Sequence, residues 1–215
     1  MIPRSAERAW IFTTTSPKEI FSSYSSIDPG RDLLVAADGG LERMAALGLI
    51  PDVIIGDMDT ASGELVERYR GVPVLRHPAA KNETDSELAV LWCLEGNVGE
   101  IVICNGLEGR FDHSCALLQN LAFIHGKGAR GRIESEGQLL FFLNSETDLG
   151  VWKGCLLSLL AWTDEAKFSS SEGLEYPLEN VVLSRLRPRG MSNRVLSGEA
   201  RIKLLSGLVL AILTK

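Results

Sequence analysis

The amino-acid sequence predicts an α/β protein: an N-terminal open, mostly parallel sheet flanked by helices, followed by a C-terminal antiparallel β sandwich or barrel. Three observations carry that expectation. Short apolar runs alternate with helix-like stretches through the first half, the order expected of strand–helix units in a parallel sheet. One of those runs, residues 33–37 (LLVAA), is apolar throughout, as a strand buried on both faces must be. From about residue 132 the texture changes to short runs separated by Gly, Ser, Asn and Asp, without a sustained helical period.

In order along the chain, residues 9–14 (AWIFTT) read as the first strand. Ser16, Pro17 and Glu19 then present a helix start, with a hydroxyl cap, Pro in the first turn and Glu three residues after the cap. The buried strand at residues 33–37 ends in Asp38-Gly39-Gly40. Leu41, Met44, Ala45 and Leu47 give the following helix its buried side, and Gly48 stops it. Residues 53–55 form a short strand, after which Gly56 lets the chain turn into Asp57 and Asp59. Residues 72–75 form another strand. Thr84 and Glu87 have capping-box spacing, so Thr84 opens a helix striped by Leu88, Leu91 and Trp92, with Asp85 in its first turn. Residues 101–104 are a further buried strand, residues 105–112 a loop, and residues 113–124 a helix with Leu117, Leu118, Leu121 and Ile124 on its core face.

Two motif checks are negative. No G-x-x-x-x-G-K-[ST] stretch is present, so the chain is not a P-loop protein. Residues 126–131 spell G-x-G-x-x-G, but they follow a helix and precede a strand, the reverse of a dinucleotide fingerprint. They read instead as an interdomain turn, which divides the chain into an α/β domain at 1–128 and a β domain at 129–215. In the second domain, the runs at 132–134, 139–143, 156–161, 180–183, 194–196 and 199–204 are expected strands. Ser192 and Asn193, in the loop 189–193, fit ordinary turn chemistry when taken alone.

Composition narrows the function. The 215 residues are 45% hydrophobic and 23% charged, with a formal net charge of −6. A broad surface for nucleic acid or an anionic membrane is therefore not expected. The N-terminus lacks an apolar signal region, and no apolar run is long enough to cross a bilayer. Cys93, Cys104, Cys115 and Cys155 sit among apolar neighbours without C-x-x-C spacing, so they read as core thiols of a cytoplasmic protein rather than as zinc ligands or disulfides.

Open parallel sheets bind ligands at the carboxyl ends of their strands, and the acids fall there. Asp38 follows residues 33–37, Asp57 and Asp59 follow 53–55, Asp85 follows 72–75, and Asp112 follows 101–104. Asp57 and Asp59 stand two residues apart, and a cation is the ordinary way to hold two such carboxylates together. Oxygen-only ligands suit Mg²⁺, which takes one or two carboxylates together with substrate phosphates. Lys81 and Arg110 lie in the same loops and either contact phosphate or pair with nearby acids. His113 either starts a helix beside an acid or contacts a phosphate or a base.

DGG at 38–40, PDVIIGDMDT at 51–60, KNETD at 81–85 and GRFDH at 109–113 resemble, in order and spacing, the thiamine pyrophosphokinase family. GLEYPLEN at 173–180, GMSN at 190–193 and a closing strand pair around Gly207 extend the resemblance over nearly the whole chain. The resemblance implies a homodimer that transfers pyrophosphate from ATP to the hydroxyl of thiamine, giving thiamine diphosphate and AMP. It implies Mg²⁺ on Asp57, Asp59 and Asp85, with Arg110 and Asp112 completing the catalytic set around the nucleotide phosphates. By the same resemblance Asp38, Gly39, Lys81, Thr84 and His113 contact nucleotide or substrate, and Ser192 and Asn193 help form the thiamine pocket. The chain departs from the family pattern at Glu108, where Gly is usual before the Arg, at Thr60, where Ser is usual, and at Asn105 and Gly106. If position 108 requires a positive φ, Glu there is strained. The competing expectations are a pyrophosphokinase for another alcohol, such as a hydroxymethylpterin, and a thiamine-binding protein that has lost catalysis.

Overall fold

The computed structural model describes residues 6–57, 63–78 and 80–215. The chain divides into two compact units, Met1–Glu136 and Gly137–Lys215. In the first, strands β1 (Arg8–Phe12), β2 (Leu33–Ala37), β3 (Val53–Gly56), β4 (Val74–Arg76), β5 (Glu100–Cys104) and β6 (Arg130–Ser135) pair in the order β6-β5-β1-β2-β3-β4. Every pairing in that series is parallel. The helices are α1 (Gly40–Ala46), α2 (Gly63–Arg68), α3 (Asp85–Glu95) and α4 (Phe111–Gly126).

Burial follows from strand periodicity. Trp10 and Phe12 of β1, Leu34 and Ala36 of β2, Ile54 of β3 and Val102 of β5 share one core cluster with Leu41 and Met44 of α1. Alternate residues on the same strands, Ile11, Val35, Ile55 and Ile103 among them, are buried as well, and α3 packs on β1, β2 and β3. The strands are therefore buried on both faces, which is why the β2 run contains no polar residue. The strand order also fixes where a ligand can sit. From β1 the chain runs to β2 on one side, whereas β5, the other neighbour of β1, leads to β6 on the opposite side. The boundary between β1 and β5 is thus the topological switch point of the sheet.

Several sequence expectations are corrected. No helix starts at Ser16: the segment after β1 stays irregular as far as a short 3₁₀ turn at Tyr24–Ser26. Ser16 is fully buried, and its hydroxyl accepts the Thr13 N–H at 2.8 Å and donates to the Cys104 carbonyl at 2.7 Å, so it is not available as a cap. Helix α4 begins at Phe111, which moves Asp112 from the loop into the first turn. On α3 the buried residues are Ala89, Val90, Trp92 and Cys93, while Leu88 and Leu91 are half-buried. The helix packs on the sheet and also against α4, so its buried face differs from the one the apolar spacing suggested. Strand β6 pairs in parallel with β5, and residues up to Glu136 group with the first compact unit. Among the thiols, Cys93 and Cys104 are buried, Cys155 is half-buried and Cys115 is exposed; all are free. Burial pushes the Cys93 thiol up to about 12 and Cys104 well above its ordinary value, so both stay protonated at neutral pH.

The second unit is built from β7 (Gln138–Phe142), β8 (Glu146–Asp148), β9 (Leu156–Ala161), β10 (Glu165–Glu172), β11 (Val182–Ser184), β12 (Asn193–Arg194), β13 (Arg201–Ser206) and β14 (Val209–Thr214). Strands β12, β9, β14 and β7 are antiparallel neighbours in that order, and β11-β10-β13-β8 forms a separate four-stranded antiparallel sheet. Leu157, Leu159 and Ala161 of β9 are buried while Leu156, Ser158 and Leu160 are half-buried, the alternation of a strand with one face in a core.

One carboxylate anchors the start of β2. Asp32, 4% exposed, accepts hydrogen bonds from Arg8 Nη2 at 2.7 Å, Arg8 Nε at 3.0 Å, Trp10 Nε1 at 3.0 Å and the Asp28 N–H at 3.0 Å. Burial pushes its pKa up, but the Arg8, Asp28 and Trp10 donors outweigh it, and the net shift is downward. A carboxyl whose folded pKa is depressed stabilises the fold above its unfolded value and loses that contribution as pH falls through the folded value. Asp32→Asn is expected to cost about 2 kcal/mol at pH 7. The gap from the parent chain should close as the pH is taken below about 4, as read by urea denaturation at a series of pH values.

Candidate functional site

A cavity of about 420 Å³ opens at the carboxyl ends of β1, β2 and β5 in the first unit. Its floor is a polar junction. The Cys104 carbonyl, at the end of β5, accepts the Thr13 hydroxyl at 2.9 Å and the Ser16 hydroxyl at 2.7 Å. Asn105 Nδ2 donates to Thr13 Oγ1 at 2.8 Å, and Asn105 Oδ1 accepts the Leu107 N–H at 2.7 Å. The Gly106 N–H donates to the Thr15 carbonyl at 2.7 Å. Thr13, Thr14 and Thr15 thereby line the cavity beside Asn105.

The wall after β2 carries Asp38, whose φ of 47° follows the strand end and whose N–H donates to the Ile55 carbonyl at 2.9 Å. The two glycines behind it have packing reasons. A Cβ on Gly40 would lie 1.9 Å from the Phe12 carbonyl oxygen, and one on Gly39 would lie 2.8 Å from Thr14 Oγ1. The start of α1 therefore crosses the end of β1 at a distance only glycine allows. Gly39 contributes a close approach, without lining the cavity itself.

Two helix starts complete the wall. Thr84 caps α3 by accepting the Glu87 N–H at 3.2 Å, as its spacing predicted. Asp85 and Ser86 then line the cavity. Lys81 Nζ lies 2.8 Å from Asp85 Oδ1, with the two side chains 12% and 24% exposed. Arg110 is the N-cap residue of α4, and Arg110 and His113 also line the cavity. The Arg110 guanidinium grips Asp112 through both Nε and Nη2, and Asp112 Oδ1 also accepts the His113 N–H at 3.0 Å. The hydrogen bonds from Arg110 hold the Asp112 carboxyl below the usual carboxylate range. Asn120 Nδ2 of α4 reaches Ser86 Oγ of α3 at 3.4 Å and ties the two helices together. Both positive helix ends thus border one cavity, which favours an anionic ligand.

The expected acids are brought together only in part. Asp38 and Asp85 line the cavity, Asp112 is turned to Arg110, and Asp57 sits half-buried at the end of β3. Asp59 and Thr60 lie outside the described residues. Among the described residues no three His, Cys, Asp or Glu side chains gather closely enough to hold a metal ion. The donors still suit a hard dication, being carboxylate oxygens throughout, and Asp85 already balances a cation.

Position 108 does not carry the positive φ feared for it. Leu107, at φ 55°, and Gly109, at φ 81°, take that conformation on either side, and Glu108 lines the cavity. Sequence reasoning missed Thr13 to Thr15, Ser86 and Asn105 as lining residues. The threonines were legible by applying the strand-end rule to β1, which carries no acid to draw attention.

In the second unit, Ser192 has a φ of 60° and its N–H donates to Ser158 Oγ at 3.2 Å. Asn193 is buried, and both polar atoms of its amide are hydrogen-bonded. Oδ1 accepts the Tyr176 N–H at 3.0 Å and the Arg194 N–H at 2.8 Å, while Nδ2 donates to the Tyr176 carbonyl at 2.7 Å. Asn193 therefore pins the segment around Tyr176.

An open parallel α/β domain with a polar cavity at its switch point, bordered by two helix N-termini, is an arrangement that suits a small anionic ligand. Residues 27–130 match the model of the thiamin pyrophosphokinase catalytic domain, a stretch that contains Asp38, Asp57, Asp85 and Arg110. That stretch is just under half of the chain, and over it the chain is similar to the thiamin pyrophosphokinases, which are named as enzymes. It is 27% identical over 193 residues to thiamin pyrophosphokinase 1 of Caenorhabditis elegans, covering 83% of this chain and 77% of that one. It is 23% identical over 204 residues to thiamine pyrophosphokinase of Bacillus subtilis, covering 91% and 94%. Its fold is that of the crystal structure of the thiamine pyrophosphokinase from Bacillus subtilis, with a TM-score of 0.85 at 20% identity over 97% of this chain and 99% of the other. The yeast thiamin pyrophosphokinase gives a TM-score of 0.77 at 17% identity, over 100% and 88%.

The hydrogen bonding of Asn193 makes a separable prediction. Asn193→Ala leaves the Tyr176 N–H without its partner and is expected to lower stability by about 2 kcal/mol in chemical denaturation. Ser192→Ala, which keeps the backbone bond to Ser158, should change stability by less than about 0.5 kcal/mol.

Proposed function

We propose that this chain transfers the pyrophosphoryl group of ATP to the hydroxyl of thiamine, giving thiamine diphosphate and AMP. The observation that carries the proposal is the cavity itself. Asp85, Arg110 and His113 meet there at the starts of two helices, at the switch point of the sheet, inside the stretch that matches the catalytic-domain family.

The hydroxyl oxygen bonds to the β-phosphorus while the bond from that phosphorus to the α–β bridging oxygen breaks, and AMP leaves with the electron pair. Such transfers are catalysed by positioning and by offsetting charge on the transferring and leaving oxygens. The starts of α3 and α4 direct unpaired N–H groups at the phosphates. Arg110, 72% exposed in its pair with Asp112, is free to turn its fork to a phosphate at little cost. A carboxylate of the site accepts the hydroxyl proton. Asp57, Asp59 and Asp85 would hold Mg²⁺, which when bound supplies positive charge against the phosphate oxygens. Ser192 and Asn193 belong to the thiamine side of the reaction, Asn193 by shaping the segment around Tyr176. The enzyme works as a homodimer in the cytoplasm. Exposed Val151, Leu186 and Leu205 in the second unit supply apolar surface for an interface, and the free cysteines suit a reducing compartment.

Incubated with ATP, thiamine and Mg²⁺, the full chain should release AMP and thiamine diphosphate in equal amounts, resolved by chromatography. ADP in place of AMP, or turnover of a hydroxymethylpterin in preference to thiamine, would overturn the proposal. Asp57→Ala and Asp85→Ala should each reduce kcat/KM by at least about a hundredfold while circular dichroism stays unchanged.

A further inference from the structure

The turn between β5 and α4 holds a strained residue. Leu107 has a φ of 55°, a conformation that bulky side chains rarely adopt. The turn is fixed from several directions. Asn105, 9% exposed, takes the Leu107 N–H on Oδ1 and holds Thr13 with Nδ2. The Gly106 N–H is held by the Thr15 carbonyl, and the Gly106 carbonyl accepts the Ser135 hydroxyl at 3.2 Å. Strain of this kind persists where the surroundings over-determine it, and it clusters at ligand sites. The turn brings Glu108 to the cavity wall, where the side chain folds back over Gly106. Cγ and Oε1 both lie 3.2 Å from the position a Cβ on Gly106 would take. The Glu108 carboxylate makes no hydrogen bond or ion pair among the described residues.

We propose that Glu108 reads the ribose of the nucleotide, accepting hydrogen bonds from its vicinal 2′- and 3′-hydroxyls. A carboxylate only accepts hydrogen bonds, so it cannot serve phosphate oxygens and repels them. The phosphates are drawn to the helix starts and Arg110. The uncharged part of ATP that offers two adjacent donors is the ribose diol, which matches the two carboxylate oxygens, and acidic side chains take ribose hydroxyls in other open α/β nucleotide folds. Glu108 then tightens nucleotide binding, where its charge alone would weaken it. The proposal rests on the reading of this cavity as the ATP site.

Calorimetric titration of the full chain with ATP and with 2′,3′-dideoxy-ATP tests it without turnover. The parent chain should bind ATP at least about tenfold more tightly than the dideoxy analogue, and in Glu108→Ala the ratio should collapse to near one. Glu108→Gln, which keeps one acceptor oxygen and loses the charge, should give an intermediate ratio. An unchanged ratio in Glu108→Ala, or a parent chain without ribose preference, overturns the proposal. Glu108 is exposed on a loop, and an unchanged melting temperature confirms that the variants fold. A chain with the expected ratios that makes no thiamine diphosphate keeps this inference and removes the transfer reaction. A chain that makes thiamine diphosphate with an unchanged ratio does the reverse. Failure to bind ATP at all ends both.

Discussion

The carbonyl of Cys104 is the joint on which the site depends. Cys104 is the last residue of β5 and pairs in register with Phe12, the last residue of β1. Beyond that point the parallel ladder has no further rung, so a buried carbonyl there needs donors from outside the sheet. The hydroxyls of Thr13 and Ser16 supply them. This satisfies the strand end and also ties the chain leaving β1 to the chain leaving β5, across the boundary where their connections part. A second tie lies farther along the same loop. The Glu134 carboxylate, 1% exposed, accepts the Ser22 N–H at 3.0 Å, the Ser22 hydroxyl at 2.6 Å and Arg132 Nε at 2.8 Å. The loop from Thr13 to Ser22 is thus held at both ends, and the cavity has a fixed floor before any ligand arrives.

The charges around that floor are balanced internally, but not equally firmly. Arg110 and Asp112 are 72% and 61% exposed, so their pair is well screened and worth little. A phosphate can take the guanidinium from it readily. Lys81 and Asp85 are 12% and 24% exposed, and separating them leaves less-solvated charges behind. The arginine is therefore held loosely and the lysine firmly.

Much of the fold was legible because its signals are local. The β2 run without polar residues, the Thr84 and Glu87 spacing and the stop at Gly48, with a φ of 70°, each depend on a few neighbouring residues, and each reads correctly. What the sequence hid depends on distant partners. Ser16 looks like a cap until the Cys104 carbonyl, 88 residues away, claims its hydroxyl. Strand β6 looks in sequence like the β-rich stretch it precedes, and its pairing with β5 groups it with the first unit. Strand β10 (EAKFSSSE) is polar and its register shifts against β13 near Phe168, so its alternation is broken. The strand-end rule found Asp38 and Asp85, but it was applied through acids and so passed over the threonines of β1.

The motifs that mark the family mix two kinds of residue, and the structure separates them. In Asp38-Gly39-Gly40 the acid faces the cavity while the glycines let α1 cross β1. In the segment from Lys81 to Asp85, Thr84 forms the helix cap and Asp85 lines the cavity. At Asn193 a motif residue spends every polar atom of its side chain on backbone. A motif read wholly as chemistry therefore overstates the site, and residues outside it, such as Thr13 and Asn105, are under-counted. The reason is geometric. A strand end can present a carboxylate in a defined place only if neighbouring residues accept unusual φ values, close approaches and buried hydrogen bonds. Those supporting residues hold the strand ends, and with them the carboxylates, in place.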